Sequence, residues 1–273
     1  MILLTAVAMS QQGERRMASL APAKSQTGDA DNFFRTLAIL MALIIVAGFS
    51  FQYLAGRSSF AARPLVHMHG IAFMAWVGLF VTQAWLATHG PIALHRRLGW
   101  IGAGWIAVLL IMGSLISIDV TQRGTAPFFF QPQNFLIANP LSAIVFAALA
   151  WTAIRLRRQT EWHMRLHICA MTAIIGPGFG RLLPMPLLMP YAFELAGIAG
   201  LVFPVAGIIY DRRKYGKAHP AWFWGIAAIL SVIPVSHLIA NSAVGDAIYA
   251  AVTAGHPGAN VPGLEFAPAP MPK

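Results

Sequence analysis

FFRTLAILMALIIVAGFSFQYLA, residues 33–55, decides the fold. It carries one charge, Arg35 at its very start, and it exceeds the roughly 20 apolar residues a helix needs to cross a hydrocarbon core of about 30 Å. No backbone amide or carbonyl can be left without a partner there, so a stretch of this kind spans the membrane as an α-helix. Six more stretches meet the same length: 65–88, 98–118, 135–156, 164–183, 191–210 and 221–240. The expectation is an all-α transmembrane bundle of about seven helices. The fifth stretch is the irregular one, because Gly176, Pro177, Gly178 and Gly180 lie inside it and Pro184, Pro186 and Pro190 follow. A broken or bent helix is expected there.

Composition agrees with lipid as the solvent. Of 273 residues 58% are hydrophobic and only 10% are charged, against about 25% charged in soluble chains. The net charge of +10 could indicate nucleic acid, and its distribution decides otherwise. Fourteen Lys and Arg fall before the first stretch and on alternate connections, among them Arg96, Arg97, Arg155, Arg157, Arg158, Arg212, Arg213 and Lys214. Five fall on the opposite side: Arg57, Arg63, Arg123, Arg181 and Lys273. That bias places the N-terminus in the cytoplasm and the C-terminus outside, in a multi-pass protein of a bacterial inner membrane. The partner it implies is the bilayer rather than nucleic acid. Residues 1–32 read as a flexible tail, 33–240 as the bundle, and 241–273 as a short helix followed by a Gly- and Pro-rich disordered tail.

Cys169 is the only cysteine, which excludes an internal disulfide, a cysteine zinc site, an iron-sulfur cluster and a CxxCH haem attachment. A retinal Schiff base needs a lysine within the membrane, and Lys24, Lys214, Lys217 and Lys273 all lie outside the stretches. Attention therefore falls on histidine. His67, His69 and His237 belong to one membrane face, and His89, His95, His163, His167 and His219 to the other. On the second stretch His69, Trp76 and Gln83 recur every seven residues and share one helical face. On the fifth, His163 and His167 form an i, i+4 pair, but Met164 stands where a metalloprotease HExxH would have Glu.

Two histidines from different helices can clamp a haem without any cysteine. His69 with His237 would form an outer site for haem b, and His95 with His163 or His167 an inner one; His69, His163 and His167 are also the candidate metal ligands. Glycines 70, 78, 99, 102, 104 and 113 would admit a flat macrocycle or an ordinary neighbouring helix. Asp119, Arg181 and Glu194, at comparable depth with His237, are expected to form a polar cluster. These groups point to a haem-binding or quinone-linked electron-transfer protein with a redox partner in the membrane. Two alternatives use other features: a small-solute or ion transporter built on the broken fifth helix, and a non-catalytic assembly subunit docking through its basic loops. A metal-dependent hydrolase would need His95, Glu161, His163, Asp211 and His219 to converge.

VHMHG at 66–70, Trp76, Gln83, LHRRLGW at 94–100, EWHMRLH at 161–167, Arg181 and HP at 219–220 form an ordered set. The set resembles an uncharacterised bacterial family of multi-helix membrane proteins with HxHG, HRRLGW and HxRL motifs. The resemblance covers about residues 60–225 and implies a fold and positions to test rather than an activity. Those positions are His69, Gln83, His95, Arg96, His163, Arg165 and Arg181. The layered histidines are also similar in arrangement to cytochrome b561-type proteins.

Overall fold

The computed structural model describes residues 24–58 and 60–268. Among them the chain is helical and contains no strand. In order the helices are α1 (Lys24–Leu54), α2 (Pro64–His89), α3 (Ile92–Gln122), α4 (Pro132–Arg155), α5 (Thr160–Ile174), α6 (Gly176–Leu182), α7 (Ala192–Ala199), α8 (Val202–Tyr215), α9 (Pro220–Ala240) and α10 (Ala243–Thr253). Short 3₁₀ turns occupy Met185–Leu188 and Pro257–Asn260.

Six helical segments are long and apolar enough to cross a membrane: Asn32–Leu54, Pro64–His89, Ile92–Gln122, Pro132–Arg155, Ala192–Tyr215 and Pro220–Ala240. Only 22–33% of each one's most apolar window is buried inside the protein. The rest, including Leu54, Ile71, Trp224 and Leu238, is exposed apolar surface far beyond what a water-soluble monomer carries. This is an integral membrane protein.

Proline chemistry sets where helices break. A proline ring clashes with the carbonyl four residues earlier and removes one amide. Pro177 thus disturbs Ala173, and α5 stops at Ile174 before α6 resumes at Gly176. Pro204 disturbs Gly200, and α7 passes into α8 through Gly200 and Leu201 without leaving right-handed helical geometry. Pro140 and Pro234 leave α4 and α9 unbroken.

The fifth stretch is therefore two helices, of 15 and 7 residues. Its brevity follows from its position. α5 packs against α1, α4, α8 and α9, and Leu166, Ile168, Cys169, Ala170 and Met171 are all buried. A helix enclosed by protein has no need to match the hydrocarbon thickness, and its interrupted backbone is tolerated because it faces neighbours rather than lipid. α6 then packs against α1, where Gly178 and Gly48 bring the two backbones together: a Cβ on Gly48 would lie 2.5 Å from the Gly178 carbonyl oxygen.

The segments read from composition as tails differ from that expectation where they are described. Helix α1 begins at Lys24, inside the span assigned to a flexible N-terminal tail, and residues 1–23 lie outside the described residues. Residues 254–268 run against the bundle. Tyr249 Oη donates to the Val261 carbonyl at 2.9 Å, Gln131 Nε2 to the Leu264 carbonyl at 2.7 Å, and the Gln133 amide to the Gly263 carbonyl at 2.8 Å. Gly258 sits so close to the end of α3 that a Cβ would lie 2.1 Å from the Thr121 carbonyl oxygen. Composition cannot reveal such anchoring, because Thr121, Gln131 and Gln133 lie on or beside α3 and α4, far away in sequence. Residues 269–273 lie outside the described residues.

Candidate functional site

At the arginine-rich end, Pro91 caps α3 and places His95 in its first turn, while α5 starts at Thr160 and carries His163 and His167 on successive turns. α4 packs against both α3 and α5. The three imidazoles meet in series. His95 and His163 have ring centroids 6.4 Å apart at 81°, and His163 and His167 4.6 Å apart at 87°. His163 Nδ1–H donates to the Ala153 carbonyl at 2.9 Å, which leaves Nε2 with its lone pair free to accept. Gln83 of α2 closes the group by donating Nε2–H to the His95 carbonyl at 3.2 Å. Gln83 Oε1 and His95 Nδ1 are buried and have no hydrogen-bond partner. Two polar atoms left so are costly, at about 1–3 kcal/mol each, and mark a place where a further donor and acceptor would be taken up.

As a metal centre this group is incomplete. Among the described residues no three or more His, Cys, Asp or Glu side chains are arranged to hold a metal ion. The spacing of His95 and His163 is close to the roughly 6 Å expected for two imidazoles on opposite sides of one metal, with metal–nitrogen bonds near 2 Å. The glycines beside them serve packing, however: a Cβ on Gly99 would meet Gln83, on Gly102 Leu79 and Trp76, and on Gly113 Phe73. A Cβ on Gly70, Gly78 or Gly104 would meet nothing within 4 Å.

His69 stands apart from this group. It precedes Gln83 by four turns, about 21 Å along α2, and its Nδ1 makes a long 3.4 Å hydrogen bond to the Met112 carbonyl with its ring against Phe73. The stripe of His69, Trp76 and Gln83 does share a face, and that face is the seam with α3 and α4. His69 and Gln83 both bond α3 carbonyls, and Trp76 packs edge-on against Phe146 at 5.1 Å with its Nε1 buried and unpartnered.

The opposite end holds separate pairs rather than one cluster. Asp119 accepts from Arg63. Arg181 lies over the face of Phe49 at 3.9 Å and donates to the Pro177 carbonyl. Glu194 Oε1 accepts from His237 Nε2 at 2.6 Å. His69 and His237 have different partners and do not face one another across a shared pair.

The most complete polar arrangement went unnoticed in the sequence. Asp211 of α8 is fully buried and accepts four hydrogen bonds: from Arg165 Nε at 2.9 Å and Nη2 at 2.7 Å, from Trp222 Nε1 at 2.8 Å, and from the His219 amide at 3.1 Å. Arg165 also lies over the rings of Phe34 and Trp222. His219 Nδ1 accepts the Ala221 amide as the cap of α9, and its Nε2 faces Glu161 at 3.6 Å. Burial, and then the charge of Arg165, hold the His219 imidazolium below its ordinary value of 6.5. Four donors and the Arg165 charge engage Asp211, and no three of His95, Glu161, His163, Asp211 and His219 are arranged to hold a metal ion among the described residues. The signal available in sequence was one arginine in HMRL and one aspartate in YDRRK at equal depth on apolar helices, where a charge requires an opposite charge.

Comparison with family models, with curated proteins and with solved structures gives no match.

Proposed function

We propose that this membrane protein belongs to the redox class: His95, His163 and His167 take the protons released by a lipid-borne quinol while its two electrons pass to a redox partner in the membrane. The observation that supports this reading is the imidazole series itself, with Gln83 Oε1 and His95 Nδ1 buried and unpartnered beside it. Imidazole is the side chain whose ordinary titration lies closest to neutrality, and a series of them at contact distance passes a proton by alternate acceptance and release. A quinol hydroxyl supplies the donor that His95 Nδ1 can accept, and its reduced ring lies flat against aromatic and apolar surface.

In this reading the arginine-rich end faces the cytoplasm and the N-terminus lies on that side, with α5 and α6 together making a seventh, interrupted crossing. The motif set that resembles an uncharacterised bacterial family of multi-helix membrane proteins supplies three of these positions: Gln83, His95 and His163.

The test is binding of a short-chain ubiquinone analogue to the detergent-purified chain, read by quenching of tryptophan fluorescence. Saturable quenching is expected, weakened at least tenfold in His95→Ala and His163→Ala while His69→Ala stays like wild type. No saturable quenching in a folded wild-type sample would overturn the quinone reading. A Soret band lost in His95→Ala on the same sample would replace the quinone with haem b.

A further inference from the structure

At the opposite end from the imidazoles, a cavity of about 20 Å³ lies between α4, α7 and α9 and is closed by the chain near Phe266. Its walls are largely phenylalanine: Phe130 and Phe193 meet edge-to-face at 5.5 Å across it. Two oxygens with no hydrogen-bond partner belong to residues lining this cavity, Asn134 Oδ1 and Glu194 Oε2. Asn134 is only 5% exposed and the Glu194 side chain 13%. The other Glu194 oxygen already accepts from His237 Nε2.

We infer that Asn134 and Glu194 bind one small monovalent cation, a sodium ion or a hydronium ion, in this cavity. Size decides the class of ligand, because a space that admits one water-sized sphere excludes any organic solute. Charge decides the sign. Glu194 Oε1 already meets His237 Nε2, and the second oxygen of the carboxylate is left without a donor, which is costly away from water. The lining contains no lysine or arginine, and His237 and Glu194 are its only titratable groups. Both unpartnered atoms are hard oxygen acceptors, the ligand type that sodium takes. This site is independent of the imidazole series and stands whether or not a quinone binds there.

The experiment is thermal unfolding of the full chain in nanodiscs, followed by tryptophan fluorescence, in sodium chloride against choline chloride at equal ionic strength and pH 8. A saturable rise in Tm with sodium is expected for wild type, and its loss in Glu194→Gln. Asn134→Asp adds a second charged oxygen and is expected to lower the sodium concentration at half-effect at least fivefold. Hydronium is the occupant if sodium has no effect, wild type and His237→Gln both gain stability as pH falls from 8 to 5, and Glu194→Gln does not; a gain lost in His237→Gln belongs to that imidazole and overturns the inference. The inference is overturned if wild type and Glu194→Gln respond alike to both ions. It is equally overturned if Asn134→Asp loses stability and sodium restores none of it, since an amide of Asn134 donating to Glu194 would behave that way.

Discussion

Replacing Asp211 by leucine would leave the Arg165 guanidinium, 3% exposed, without its counter-charge in the middle of the α5, α8 and α9 contact. Breaking a buried pair from one side costs about 3–5 kcal/mol, because the remaining charge stays desolvated. Trp222 Nε1 and the His219 amide lose their acceptor as well, so the upper half of that range, about 4 kcal/mol, is the expected loss. At roughly 2–4 °C per kcal/mol, the detergent-solubilised variant should melt about 8–16 °C below wild type. The informative comparison is the double variant Arg165→Met with Asp211→Leu, which removes both charges. It should cost less than Asp211→Leu alone, because no charge then remains buried. Circular dichroism melting of the four proteins checks this. An Asp211→Leu variant within about 2 °C of wild type, or a double variant whose loss equals the sum of the singles, would refute the assignment of this pair as the polar anchor of the bundle.

Two further perturbations test how the helices are held. A Cβ on Gly207 would lie 2.2 Å from the Trp222 ring, and one on Gly225 2.3 Å from Cys169 Sγ; Gly207→Ala and Gly225→Ala should each cost about 1–3 kcal/mol by overpacking. Gly78→Ala and Gly104→Ala meet nothing within 4 Å and should be neutral or stabilising by up to about 1 kcal/mol, as helix propensity predicts, in the same melting assay. His219 gives the pH dependence. Its folded form resists protonation while the unfolded form accepts a proton near 6.5, so its contribution is full above that value and is lost as pH falls through the depressed folded value. His219→Asn keeps an acceptor at the cap of α9 and should flatten that part of a melting profile between pH 7 and 4; an unchanged slope would count against His219 as the titrating group.

What the sequence determined by itself is the solvent and the secondary structure. Stretches such as 33–55 and 221–240 admit one conformation in hydrocarbon, because each peptide group must find its partner within its own helix, and Pro177 marks where that rule fails locally. The pairing of polar groups was decided by tertiary structure alone. Periodicity put His69, Trp76 and Gln83 on one face but could not say that the face meets α3, nor that His95 would reach His163 while His69 stays about 21 Å away along its helix. Depth in the membrane made Asp119, Arg181 and Glu194 look like one cluster, whereas rotation about each helix axis gave each its own partner. Likewise the Gly- and Pro-rich segment through residue 268 offers carbonyls that accept from Gln131 and Gln133. A hydrogen bond between residues over 100 positions apart leaves no local trace in the chain.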